Sequence, residues 1–161
     1  KKEFIKLSIK PPENNFKTHK FNIKNDLENL TFIQNECFKN HHGYEINSTN
    51  DIREEINLIE ENNINNIEAI VKDEDNWIAY CWTYYNKKTK SAKLSMVGVK
   101  EDFRGNGISK IVIINSLINL FKLGCNEIEL EVDDSNKSAK KNYFELGFSI
   151  NNNLNWYQII K

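Results

Sequence analysis

Several shortages in this 161-residue chain each remove a class of function. An excess of one charge is missing: 22 Lys and Arg against 23 Asp and Glu leave a formal net charge of -1. No global field therefore draws the chain to nucleic acid or to an anionic membrane, and any basic function is local. Cysteine is scarce and scattered. Cys37, Cys81 and Cys125 form no CxxC pair and keep no metal-ligand spacing with His19, His41 or His42. They read as buried free thiols of a reducing, cytoplasmic compartment, with no metal. Long apolar runs are also missing. The longest, residues 111–123, is interrupted by Asn115, Asn119 and Lys122 and is too short and too polar to span a bilayer. No internal repeat, low-complexity linker or secretory signal is visible, and the chain opens at Lys1, as a processed or truncated chain does.

What remains is a globular composition, 39% hydrophobic and 28% charged, of a length that fits one domain with a sizeable core. That domain is expected over residues 17–161. Residues 1–16, where an alternating pattern over 4–9 is cut by Pro11-Pro12, read as a leader or linker.

Periodicity then orders the elements. Residues 20–24 alternate as a short strand, and Asn25 or Asp26 caps a helix bearing Leu27, Leu30, Phe32, Ile33, Cys37 and Phe38. A polar turn holds His41 and His42. A second helix, capped by Ser48, Thr49 or Asn50, buries Ile52, Ile56 and Ile59 and wets its acidic face. From residue 67 the period becomes that of strands: 67–72, a turn at 73–76, then 77–85, bulky on both faces and so central. A lysine-rich hairpin at 86–90 returns the chain as a strand over 92–99. A helix over 107–123 is apolar around most of its circumference and reads as sandwiched in the core, with Gly124 ending it. A strand follows over 127–132. Asp134 or Ser135 caps a last helix that Gly147-Phe148 terminates, and residues 156–160 supply a final strand.

Two constellations carry chemistry. The first is the join Val97-Gly98-Val99-Lys100-Glu101-Asp102-Phe103-Arg104-Gly105-Asn106-Gly107-Ile108-Ser109: a strand end, a turn with two glycines after an arginine, and a helix start. The first N–H groups of a helix have no internal partner and carry the positive end of its dipole, so they collect phosphate oxygens. No Gly-Lys-Ser/Thr follows, which removes the magnesium and γ-phosphate chemistry of a P-loop. The second is Asn136, Ala139 and Tyr143, spaced i, i+3 and i+7 on one helix face. A small residue between two hydrogen-bonding ones leaves a groove for a thin amide-bearing ligand; the same spacing also suits a packed Ala and Tyr with Asn136 as the cap.

Together, Arg-x-x-Gly-x-small, a buried helix, a strand, Asn-x-x-Ala-x-x-x-Tyr and Gly-Phe resemble the GCN5-related N-acetyltransferase (GNAT) family. The resemblance implies an α/β (α+β) GNAT fold, a mixed and mostly antiparallel central sheet flanked by about four helices. It implies acetyl-CoA as co-substrate, with Val97, Gly98 and Val99 hydrogen-bonding the pantetheine arm and the acetyl carbonyl. Arg104, Gly105, Asn106, Gly107, Ile108, Ser109 and Lys110 match the pyrophosphate loop, Asn136 the arm contact, and Tyr143 the tyrosine that hydrogen-bonds the departing sulfur as general acid. Ser109 departs from the usual Gly or Ala, which implies tighter packing or one more phosphate hydrogen bond. Phe38 with His41-His42, Trp82-Thr83 and Val97-Gly98-Val99 is further similar to the C-terminal half of mycothiol synthase, a tandem member of the family.

The implied reaction is direct attack of a primary amine, on a small molecule or a peptide, with a homodimer or a partner GNAT domain as the protein contacts to expect. A non-catalytic acyl-CoA-binding module, or one half of a tandem protein, is the competing reading. The strand before the motif offers Lys93, Ser95 and Val97 but no carboxylate, so the base falls to Glu68, His41 or water. Tyr80, Trp82 and Tyr84 are the residues expected to line the acceptor side; sheet core is their other role.

Overall fold

The computed structural model describes residues 16–41, 43–58, 63–72 and 76–151. The strand patterns at 4–9 and 156–160, His42, Ile59 and most of the 73–76 turn lie outside the described residues. The chain divides into two compact units, Lys1–Glu131 and Val132–Lys161.

The first unit holds the sheet. Its strands are β1 (Lys17–Lys20), β2 (Asn63–Val71), β3 (Trp77–Asn86), β4 (Ser91–Val99) and β5 (Glu127–Leu130), in spatial order β1-β2-β3-β4-β5. All neighbours are antiparallel except β4 and β5, which are parallel. Helices α1 (Leu27–Phe38) and α2 (Thr49–Asn57) precede β2, and α3 (Ile108–Lys122) crosses from β4 to β5.

The two sheet faces are told apart by alternation along β2. Ile67, Ala69 and Val71 share a core with Leu30, Ile33, Cys37, Ile52, Tyr80 and Trp82, so α1 and α2 cover that face. The residues between them face α3: the Asn66 amide donates to the Ser116 hydroxyl at 2.9 Å, and the Asn119 amide donates to Glu68 Oε1 at 2.6 Å. β3 is buried over most of its length, as its bulk on both faces predicts.

Sequence reading misplaces several boundaries. The strand expected at 20–24 is β1, which ends at Lys20. The chain turns instead at Asn22, because the Asp26 carboxylate accepts from the Asn22 N–H at 2.7 Å and from the His19 ring at 2.8 Å. Asp26 thus sits at the N-cap position of α1 without capping it. Ser48 does cap α2, in a reciprocal box with Asp51. β2 begins four residues before 67, since Asn63 to Asn66 pair with the long β3. α3 covers one face rather than being sandwiched: Ile118 and Phe121 are more than 40% exposed. Phe32, expected in the core, lies on the outer side of α1 with the Lys100 ammonium 5.1 Å from its ring centre.

The second unit is built around α4 (Lys137–Glu145). Its cap is Asn136 rather than Asp134 or Ser135: the Asn136 Oδ1 accepts from the Ala139 N–H at 3.1 Å. The helix ends as the Gly-Phe pair predicts. The Phe148 N–H donates to the Tyr143 carbonyl and the Gly147 N–H to the Phe144 carbonyl, both at 3.0 Å, with Gly147 at φ +89°. Phe148 also packs edge-on against Tyr143, ring centres 5.8 Å apart.

Candidate functional site

The site begins where β4 outruns β5. Their parallel pairing runs from Ser91↔Glu127 to Leu94↔Leu130 and stops there. One residue further, Ser95 is bulged out of the β3–β4 register, which passes from Thr83↔Leu94 to Trp82↔Met96. A bulge redirects a strand. Beyond it the Lys100 N–H donates to the Ile78 carbonyl at 2.9 Å, which fixes the alternation of the ladder. Met96 and Gly98 therefore turn their peptide groups to β3. Val97 and Val99 turn theirs the other way, where β5 no longer pairs. Of the three strand residues expected to meet a ligand arm, Val97 and Val99 thus face the opening and Gly98 does not.

Gly98 serves by its lack of a side chain. A Cβ built there lies 2.5 Å from Tyr80 Cε1 and 2.9 Å from Cys37 Sγ, so only glycine lets α1 and the Tyr80 ring close on β4. Burial pushes the Cys37 thiol up to about 11 against the opposing pull of Arg104, so it stays an un-ionised packing group.

A 3-10 turn, Glu101–Phe103, leads to Arg104, Gly105, Asn106 and Gly107. The Arg104 guanidinium binds the Val99 carbonyl through Nε at 3.1 Å and the Cys37 carbonyl through Nη2 at 3.3 Å. One side chain thereby ties the loop to the end of β4 and to the last turn of α1. Gly105 and Gly107 have φ of +81° and +74°, and a Cβ on either meets nothing within 4 Å. Backbone conformation requires the glycines, and the space around them is open. Gly107 occupies the N-cap of α3 and supplies no side-chain acceptor. The Ile108 N–H has no carbonyl of its own helix to meet and suits an acceptor from outside it, with Ser109 and Lys110 following.

Asn136, Ala139 and Tyr143 lie in the second unit and share the face of α4 that their spacing predicts. With its Oδ1 engaged in the cap, Asn136 keeps its amide donors for other partners.

The acceptor-side residues divide. Tyr80 and Trp82 are fully buried, so these two belong to the core. The Tyr80 hydroxyl faces Met96 Sδ at 3.6 Å and the Trp82 indole N–H donates to Asn65 Oδ1 at 2.7 Å. Tyr84 is only half-buried, and its hydroxyl donates to Glu55 Oε1 at 2.9 Å. Glu68 stands apart from Tyr84. It is buried on the α3 face, across the sheet, and desolvation raises its carboxyl above the ordinary range despite the Asn119 hydrogen bond. His41 is exposed, its ring edge-on to Phe38 at 5.0 Å, on a loop held by Asn35 and Asn47. Sequence reading misses Glu55, because an acidic run on an amphipathic helix reads as a solvated face; only the fold brings it to Tyr84.

Among the described residues no cluster of His, Cys, Asp and Glu has the makings of a metal site, and no helix is long and apolar enough to cross a membrane.

Comparison with known proteins bears on the family and the fold. The family described as Acetyltransferase (GNAT) family matches residues 27–148. A mycothiol acetyltransferase of Actinosynnema mirum is 29% identical over 75 residues, 47% of this chain and 25% of the relative. The N-alpha-acetyltransferase MAK3 of Arabidopsis thaliana is 32% identical over 63 residues, 39% of this chain and 33% of the relative. The chain thus matches a quarter to a third of the length of these curated relatives. Among solved structures, an aminoglycoside acetyltransferase from an uncultured soil metagenomic sample, in complex with trehalose, superposes with a TM-score of 0.72 at 14% identity, over 92% of this chain and 99% of that one. The aminoglycoside N-acetyltransferase AAC(6')-Iy in complex with CoA gives 0.70 at 16% identity, over 94% and 99%. At such identities the superpositions establish a shared fold.

Proposed function

Since the chain belongs to the acetyltransferase (GNAT) family, we propose that it transfers the acetyl group of acetyl-CoA to a primary amine of a small molecule or peptide by direct attack. The observation that carries this reading is the opening beside β4, where Val97 and Val99 turn their peptide groups away from β3 just past the last β4–β5 pair and immediately before the glycine loop. A thin chain of amides matches those peptide groups, and a pyrophosphate matches the open loop and the uncapped start of α3. The residues present therefore suit this co-substrate.

When bound, acetyl-CoA supplies a thioester carbonyl and a thiolate leaving group. The chain's own residues do the rest. Arg104 orders the loop whose N–H groups receive phosphate oxygens, and Ser109 and Lys110 add a hydroxyl and a cation at its rim. By the family resemblance, the contact with the arm falls to Asn136 and the hydrogen bond to the sulfur to Tyr143, both in the second unit. The Val97 N–H meets negative charge developing on the carbonyl oxygen. A thiol of ordinary pKa about 8.5 leaves readily, so this help is modest.

Two measurements test the reading. Acetyl-CoA is expected to raise the melting temperature and ATP to leave it unchanged. Release of the CoA thiol is expected only when an amine is added, in a screen over aminoglycosides, polyamines, small amines and peptides. Stabilisation by acetyl-CoA without thiol release for any amine indicates a binding module instead. In the active enzyme Tyr143→Phe is expected to lower kcat by about a hundredfold or somewhat less, at the lower bound for general acid catalysis, with acetyl-CoA affinity unchanged by calorimetry. A wild-type kcat in that variant removes Tyr143 from the mechanism.

A further inference from the structure

An amine acceptor arrives protonated, and a protonated amine has no lone pair with which to attack. Neutralising a lysine-like amine at pH 7 costs roughly 4 to 5 kcal/mol, so a proton acceptor near the reacting nitrogen matters. β4 carries no carboxylate at its candidate positions, and Glu68 lies across the sheet. The α1–α2 face supplies another. Glu55, half-buried on α2, accepts the Tyr84 hydroxyl hydrogen at 2.9 Å. Tyr84 pairs across the ladder with Lys93, two residues before Ser95, which is bulged from β4 at the start of the opening. Glu55 and Tyr84 therefore form a polar line from α2 to β3, close in register to the point where β4 leaves β5. Tyr84 is also accessible. It lines an open depression of ≈ 180 Å³ together with Asn63, Asn86, Ser91, Lys93 and Glu129, a polar setting suited to a cationic amine.

From this juxtaposition we infer that Glu55 is the proton acceptor of the transfer reaction, acting through the Tyr84 hydroxyl. The inference rests on the acetyltransferase reading. In the step, one N–H bond of the ammonium breaks and its proton moves to the Tyr84 oxygen. The hydroxyl's own proton passes along the existing hydrogen bond to Glu55 Oε1. The amine keeps the electron pair and becomes the nucleophile, Tyr84 is regenerated as a neutral phenol, and Glu55 ends protonated and later loses that proton to solvent. Tyr84 need not ionise at any point, which suits a phenol that burial and the Glu55 charge hold in its neutral form. The charged neighbours are Lys93, cross-strand from Tyr84 and paired with Glu131 at 2.7 Å, and Glu129 across the depression; the buried phenol of Tyr80 and the Tyr44 hydroxyl lie on the Glu55 side.

The test compares wild type, Glu55→Gln, Tyr84→Phe and the double variant, each with an amine found active on the wild type, from pH 6 to 10. Glu55→Gln keeps an acceptor for the Tyr84 hydroxyl and so preserves packing. Each single variant is expected to lose about 10²-fold or more in kcat at pH 7. The double variant is expected to lose no more than the worse single, because both residues serve one proton. The deficit narrows toward pH 10, where a sizeable fraction of the amine is neutral unaided, and acetyl-CoA affinity stays within twofold throughout. A Glu55→Gln variant within threefold of wild-type kcat at pH 7 overturns the assignment, and so does a loss that persists undiminished at pH 10, since that is the mark of a structural role. An active wild type with unaffected variants sinks this assignment alone. A wild type that acetylates no amine sinks the acetyltransferase reading and this step with it.

Discussion

At Gly98 the packing leaves no room for one more carbon. Glycine-to-alanine changes at tolerant positions gain about 0.4–1 kcal/mol through the unfolded chain, whereas overpacking a tight core costs about 1–3 kcal/mol. With a contact of 2.5 Å to Tyr80, a fully buried ring, the second effect wins. Gly98→Ala is expected to lower the urea midpoint by an amount equivalent to about 1–2 kcal/mol. An unchanged midpoint shows that Tyr80 and Cys37 move aside freely. The position thus holds glycine for the sake of α1. That reason is independent of any ligand, although sequence alone groups Gly98 with the binding residues.

At the level of elements, three parts meet at Arg104: the end of β4, the last turn of α1 and the glycine loop. Hydrogen bonds from a charged donor are each worth about 1.5–3 kcal/mol, and Arg104 makes two to backbone carbonyls. Arg104→Glu removes both and places a negative charge beside the glycine loop. It is expected to weaken acetyl-CoA binding by at least about tenfold, the equivalent of about 1.4 kcal/mol, measured by calorimetry; unchanged affinity places the pyrophosphate elsewhere. Elements of this kind were legible in the sequence because they depend on short local signals. The glycines at 105 and 107, the Gly-Phe stop of α4 and the two-sided bulk of β3 each depend on a few neighbouring residues. What was not legible depends on partners distant in the chain. Asn63, Asn65 and Asn66 carry little strand propensity and are strand because β3 extends to meet them. Tyr80 and Trp82 look like pocket-lining aromatics until α1 and α2 cover them. Glu55 reads as solvent-facing until Tyr84 arrives from 29 residues further on.

Across the first unit as a whole, α3 seals its face of the sheet with polar groups as well as apolar ones. Asn66, Thr83 and Ser116 hydrogen-bond among themselves, all buried, and Glu68 lies buried beside them on Asn119. Satisfied networks of this kind specify a single docking of helix on sheet. Glu68 adds a pH dependence whose sign follows from its raised pKa. The folded chain holds the proton more tightly than the unfolded chain, so the carboxyl's contribution to stability is most favourable below its ordinary pKa near 4.5 and is lost as pH rises through the folded value. Lys20, His19 and Lys122 oppose the shift without cancelling it. Glu68→Gln retains an acceptor for Asn119 and removes the ionisation. Its stability relative to wild type is expected to improve between pH 4.5 and pH 8 in urea titrations, and a constant difference across that range refutes the assignment of the shift to Glu68.

A sheet ordinarily offers unpaired ladder groups only along its outermost strands, here β1 and β5. Because β4 runs on past β5, among the described residues this one has a further stretch of ladder without a strand partner inside its own width. Unpaired ladder invites self-association, since any extended chain with free amides satisfies it. The stretch is bounded by the Leu94↔Leu130 pair on one side and by Arg104 on the Val99 carbonyl on the other. It is shorter than the five or six residues of a typical strand. An opening this short suits the narrow amide-bearing chain proposed above, and its length also keeps it from templating a foreign strand.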